Sequence, residues 1–175
     1  TMETRVNTKE LVITRTFDAP RELVWRAWTD PELFKRWWGP SIFTCPVCRM
    51  DVRAGGSYLW CMRAPDGQDF WTAGEFREVV APERIVYTDN LADENGNPVP
   101  ASYYGMSDDF PTQTVVTVTL IEQGPKTVMT LVHAGMVHGT EVELENANIG
   151  WNQSFDKMAA ALAGVPRGES TILLS

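Results

Sequence analysis

No run of about 18 apolar residues occurs in this 175-residue sequence, so no helical membrane span is expected. Positive charge is scarce: 15 Lys and Arg stand against 23 Asp and Glu, for a net charge of −8. Nucleic acids and anionic membranes are held by surplus Lys and Arg, so neither is an expected partner. The excess of acid reads as solubility. Residues 1–10 lack the apolar stretch of a secretory signal, so a cytoplasmic location is expected. Cysteines number three, Cys45, Cys48 and Cys61, an odd count that argues against a disulfide framework. Cys45-Pro-Val-Cys48 has the spacing of a metal or redox pair, but no second pair completes it, and His133 and His138 lie far away in sequence. Its flanks look like a strand, and a redox pair normally opens a helix. In a strand, residues three apart point to opposite faces. No metal, disulfide or cofactor is therefore expected. There is no nucleophile elbow, glycine-rich phosphate loop, His/Glu metal motif or telling carboxylate pair.

Aromatics are abundant. Four of the seven tryptophans, Trp25, Trp28, Trp37 and Trp38, fall within fourteen positions. The surrounding segment holds two short helix starts of one design, Asp18 with Pro20 and Asp30 with Pro31. Proline suits the first helical position, and an aspartate ahead of it can cap the free amides. Helices are expected at about 20–28 and 31–37, ended by Gly39-Pro40. Leu23, Val24, Ala27 and Trp28 share one face of the first, and Leu33, Phe34, Trp37 and Trp38 one face of the second.

Alternation and turn residues place strands at about 11–17, 44–52, 57–63, 70–80, 84–89, 113–123 and 127–133. Residues 92–112, rich in turn formers and acids, read as a long loop of the kind that forms a lid or binding element, mobile and bordering a cavity mouth. Trp151, Phe155, Met158, Ala159 and Leu162 form an apolar stripe on a helix at about 147–163, ended by Gly164 and Pro166. Such a helix must cover the sheet, the one large apolar surface available. The expected architecture is α+β, in the order β-α-α-β6-α. A curved, seven-stranded antiparallel sheet wraps a long C-terminal helix in one domain over 1–175, with its core at about 10–163. The tail, 164–175, is apolar enough to pack on the body or on a partner, which leaves a homodimer open.

These segments resemble the SRPBCC (START-like) superfamily, in the branch named after the activator of Hsp90 ATPase. The resemblance runs from the paired helix starts through Met50-Asp-Val-Arg-Ala-Gly-Gly56, Ala64-Pro-Asp-Gly67, Gly74-Glu-Phe-Arg-Glu-Val-Val-Ala-Pro82 and Gly150-Trp-Asn-Gln-Ser-Phe-Asp-Lys-Met158. It implies a helix-grip fold with a cavity between sheet and helix. It further implies binding of a small apolar or aromatic ligand, cyclase- or aromatase-like catalysis on the same fold, or a co-chaperone role in stress response. The additional N-terminal domain of eukaryotic Hsp90 activators is not expected here, so ligand binding is expected ahead of a chaperone partnership.

Concave, apolar, sparsely polar spaces are where small ligands bind. Period-2 alternation sends Tyr58 and Trp60, Ile85, Tyr87 and Asp89, and Met129, Leu131 and His133 inward. The expected lining is Trp38, Tyr58, Trp60, Trp71, Tyr87, Met129, His133, Trp151 and Phe155. His133 and Tyr87 would orient a ligand, and His133 would be the base of any enzyme. The remaining titratable candidates are Asp51, Arg53, Glu75, Glu78, Asp89 and His138, with Arg53 expected to pair with Glu75 or Glu78.

Overall fold

The computed structural model describes residues 3–6, 10–106, 111, 113–135 and 141–166. Strands β1 (Glu3–Val6) and β2 (Glu10–Phe17) lead into helices α1 (Arg21–Thr29) and α2 (Pro31–Phe34). Four strands follow, β3 (Thr44–Met50), β4 (Ser57–Arg63), β5 (Asp69–Val80) and β6 (Arg84–Ala92). After a 3-10 turn at Ala101–Tyr104 come β7 (Gln113–Gln123), β8 (Lys126–Ala134) and the long helix α3 (Glu141–Ala163). The sheet runs β1-β2-β8-β7-β6-β5-β4-β3, with every pairing antiparallel.

The seven expected strands are all present, and the sheet gains an eighth at its edge. Glu3–Val6 pairs with β2, Glu3 opposite Thr14. Four residues with one apolar member are too few for alternation to show. The helix α3 begins at Glu141, earlier than the apolar stripe suggested. Its added turns carry Glu141, Glu143 and Glu145, good helix formers whose charge suits an N-terminus.

The helix starts differ from expectation in detail. Asp30 caps α2, its Oδ1 accepting from the Glu32 amide at 3.0 Å. The N-cap of α1 is Pro20 itself, which has no side-chain cap. Past Phe34 the chain tightens into i→i−3 bonds, Arg36 N–H to Leu33 O and Trp37 N–H to Phe34 O. That tightening ends the helix proper before Trp37.

Tertiary packing follows the alternation. Leu11, Ile13, Tyr58, Trp60, Ile85, Tyr87, Val116, Val118, Met129 and Leu131 from one face of the sheet are buried in one cluster with Trp28, Phe34 and Trp37. The α3 stripe of Trp151, Phe155, Met158 and Leu162 joins them there. The opposite edge strand, β3, carries Pro46 and a register break between Thr44 and Val47. Both features discourage pairing with another chain along that edge.

Candidate functional site

The middle of the grip is filled by side chains. Trp28 sits 4.8 Å from Trp37 between ring centroids, and Phe155 lies 6.4 Å from Trp28 and 6.2 Å from Trp37. Tyr58 stacks on Trp60 at 3.8 Å, and Tyr87 meets both edge-on. Buried polar tips are partly served within the core: the Trp28 indole N–H donates to the Met129 sulfur at 3.4 Å, and that of Trp37 to Ala27 O at 2.8 Å. The central cavity expected between sheet and helix is therefore packed, because the curvature mismatch is taken up by rings. Tyr58, Trp60, Tyr87, Met129 and Phe155 belong to this core.

Toward one end of the same face the character changes to polar. Asp89 and Thr114 are partners across β6 and β7, and His133 stands on the neighbouring β8. The His133 ring links three elements. Its Nε2 lies 2.7 Å from Thr114 Oγ1 and 3.9 Å from Asp89 Oδ2, and the Trp151 indole N–H from α3 donates to Nδ1 at 3.2 Å. An indole can only donate, so Nδ1 must be the acceptor and the proton resides on Nε2. Nε2–H then donates to Thr114. Protonating Nδ1 would break the Trp151 bond and place a cation where the side chain is only 10 % exposed. Burial accordingly pushes the His133 pKa down to about 4. His133 is thus a neutral, fully engaged ring, unlike the base that an enzymatic reading of the sequence would make of it.

Asp89 is the group sequence reasoning underweighted. Burial pushes its pKa up to about 6, partly countered by the Tyr58 hydroxyl. The single proton of that hydroxyl is directed at Thr88 O, 2.7 Å away. Among the described residues no Lys or Arg pairs with Asp89, whose side chain remains 20 % exposed. Three buried polar atoms from the same face, Trp60 Nε1, Thr72 Oγ1 and Tyr87 Oη, have no partner among the described residues. The signal available beforehand was the shared face of Tyr87 and Asp89; burial of the carboxylate was not visible.

Trp38 completes this end. Its ring is half-buried, 4.7 Å from Trp60 and 5.5 Å from Trp151. The turn after it is set by Gly39, whose φ of 100° is open to glycine but strained for other residues. Lys157 on α3 then ties the turn down, its Nζ donating to Gly39 O at 2.9 Å, Pro40 O at 3.1 Å and Phe43 O at 2.9 Å. Of the expected lining, Trp38, His133 and Trp151 come together here. Trp71 does not: its partners are Cys61 and Ala92, so it alternates to the other face, and its amide donates to the Tyr104 hydroxyl at 3.0 Å.

The remaining candidates lie elsewhere. Arg53 pairs with Asp51 at 2.8 Å, two residues away, and Glu78 is taken by Arg84 at 3.1 Å. The expected Arg53–Glu75 or Arg53–Glu78 pair is replaced by these short-range contacts. His138 and residues 107–110 and 112 fall outside the described residues. The described part of the 92–112 segment is bonded: Asp93 Oδ1 accepts the Asn95 and Asn97 amides at 2.9 Å, and Tyr104 donates to Ala92 O. Asn95, Gly96 and Pro98 border a shallow groove of about 540 Å³ with Arg49, Leu59, Ala73 and Asn90, on the face away from α3.

Cys45 and Cys48 are both free. The bulge between Thr44 and Val47 overturns the alternation expected of them. Cys48 pairs with inward-facing Trp60, and Cys45 is itself part of the buried core, so both thiols lie on the inner side. Burial pushes the Cys45 thiol up to about 11 and that of Cys61 to about 12. No group of three His, Cys, Asp or Glu among the described residues is placed to hold a metal.

The chain matches one family model, the activator of Hsp90 ATPase homolog 1-like proteins, over residues 18–163. The chain belongs to this family. A Chromobacterium violaceum protein is 30% identical, with a TM-score of 0.72 over 87% of this chain and 96% of that one. An Arthrobacter aurescens protein is 25% identical, with a TM-score of 0.77 over 93% and 92% of the two chains. A Silicibacter pomeroyi member of the same family is 22% identical, with a TM-score of 0.70 over 88% and 97%, and it supports the fold alone. No curated protein shows significant similarity. No helix among the described residues is long and apolar enough to cross a membrane.

Proposed function

We propose that this protein binds a small, largely aromatic molecule at the polar end of the inner face, between Trp38, Trp151, Asp89 and His133. The observation that carries the reading is the Asp89 carboxylate, with part of its surface open and no Lys or Arg beside it among the described residues. A carboxylate so placed is costly to the fold, and proteins keep such groups at sites of binding or proton transfer. The neighbouring tryptophans supply flat apolar walls.

An enzymatic version of the reading is favoured by one feature. With its pKa near 6, Asp89 rather than His133 is suited to take a proton near neutral pH, because both His133 nitrogens are engaged. The chaperone reading has no comparable residue in its support.

The test is NMR of the seven indole N–H resonances during titration with small aromatics. Binding at the proposed place shifts Trp38 and Trp151 and leaves Trp71 unmoved. Shifts confined to Trp71, or none at all with any compound, would reject the site.

A further inference from the structure

We infer that the site selects a cationic nitrogen, a primary or substituted ammonium carried on an aromatic body, with Asp89 as its counter-ion. This rests on the ligand-site reading above and adds the chemistry of the head group.

The argument begins with what faces Asp89 from each neighbour. Tyr58 on β4 offers a hydroxyl, Thr114 on β7 a hydroxyl, and His133 on β8 a neutral ring at 3.9 Å. The Trp151 N–H from α3 holds His133 in that neutral state. The cations along α3 are committed elsewhere. Arg15 pairs with Asp156 at 2.5 Å and donates to Asn152 O at 3.1 Å, and Lys157 is shared among three carbonyls. Among the described residues an ionised Asp89 therefore has no counter-charge. A buried charge without a partner is expensive, and a ligand ammonium would supply the missing one. Charge-assisted bonds of this type are about twice as strong as neutral ones.

The rings favour the same head group. Trp38 and Trp151 lie 5.5 Å apart and nearly perpendicular, Trp151 bonds the same His133 ring that stands 3.9 Å from the carboxylate, and ring faces attract cations. A ligand carboxylate would meet Asp89 head-on with no Lys or Arg to offset the repulsion. The net charge of −8 also steers cations toward the protein and anions away.

Three probes of one shape separate the possibilities: phenethylamine, 2-phenylethanol and phenylacetate. Calorimetric titration at neutral pH and low salt should rank them in that order, with the amine about tenfold tighter than the alcohol. Asp89→Asn should bring amine and alcohol level. Should that variant fail to fold, the wild type decides. Its affinity for the amine should weaken as the pH falls through about 6, where Asp89 takes up a proton, while affinity for the alcohol stays level. Neither Tyr58 nor Tyr87 titrates in that range, since burial raises both hydroxyls well above their ordinary value. Equal binding of amine and alcohol by the wild type overturns the inference and leaves the aromatic site standing. A preference for the amine that survives Asp89→Asn also overturns it. Binding of none of the three, with Trp38 and Trp151 resonances unmoved, overturns both.

Discussion

The Trp151 indole N–H donates to Nδ1 of His133 at 3.2 Å, and this single bond joins the C-terminal helix to the last strand of the sheet. It selects one tautomer of the histidine, directs the remaining proton at Thr114 and denies the ring the role of a base. Trp151→Phe keeps the ring and removes the donor. In that variant Nδ1 is free to accept a proton, and the His133 pKa should rise from about 4, readable by NMR of its ring carbon protons. An unmoved pKa would show that burial alone sets it.

Asp89 and His133 should oppose each other in the pH dependence of stability. Asp89 has a folded pKa of about 6, raised above its ordinary 3.8, so its contribution falls as pH rises between those values. His133 has a folded pKa of about 4, lowered from 6.5, so the unfolded state binds more protons and stability rises over that span. Each shift corresponds to about 3 kcal/mol, and the two windows overlap. The wild type should thus show a shallow profile through the overlap. In urea unfolding, Asp89→Asn should expose the rising limb and His133→Gln the falling one. Slopes unchanged in both variants would contradict the assignments.

Gly74 lies where β5 meets β6, and a Cβ there would stand 2.0 Å from the Thr88 carbonyl oxygen. That carbonyl also receives the Tyr58 hydroxyl. Gly74→Ala should cost on the order of 3 kcal/mol or more by denaturant unfolding, through backbone displacement rather than lost packing. A neutral substitution would mean that the strands can part without disturbing Tyr58.

In the packed centre, Phe155→Ala should cost about 3–5 kcal/mol while leaving the Trp38 indole resonance near its wild-type position. Met129→Trp, by contrast, should be poorly tolerated, because Met129 is fully buried and already receives the Trp28 N–H. Easy accommodation of Trp at 129 would reveal space in the core.

Lys157→Met keeps an apolar stem and removes the donor shared by Gly39, Pro40 and Phe43. The expected loss is about 2 kcal/mol. Because the same turn carries Trp38, the variant should also weaken any aromatic ligand. Loss of stability with unchanged affinity would uncouple the clamp from the site.

Much of the fold was legible in the chain. The α3 stripe of Trp151, Phe155, Met158 and Leu162, the inward sets of the strands and Asp30-Pro31 all act as periodicity and capping chemistry require. These signals are local, since side-chain direction along a strand or helix follows from its own repeat. The short β1 strand and the early start of α3 carried too little pattern to be seen.

The site was legible only in part, and the reason is non-local. The residues that meet at its polar end, Trp38, Asp89, Thr114, His133 and Trp151, come from five separate segments, and nothing in the spacing along the chain brings them together. A single inserted residue at the β3 bulge was enough to bring Cys45 to the same side as Cys48. Whether rings fill the grip or leave it hollow depends on how volumes from α1, α2, α3 and the sheet add up. Within an unbroken strand or helix the sequence alone determined which side chains share a face, because the backbone repeat dictates it. Only the tertiary structure decided that Asp89 is half-buried with no Lys or Arg partner among the described residues and that His133 is locked neutral. Desolvation and hydrogen-bond partnership are properties of what surrounds a group, and those surroundings exist only once distant segments have packed.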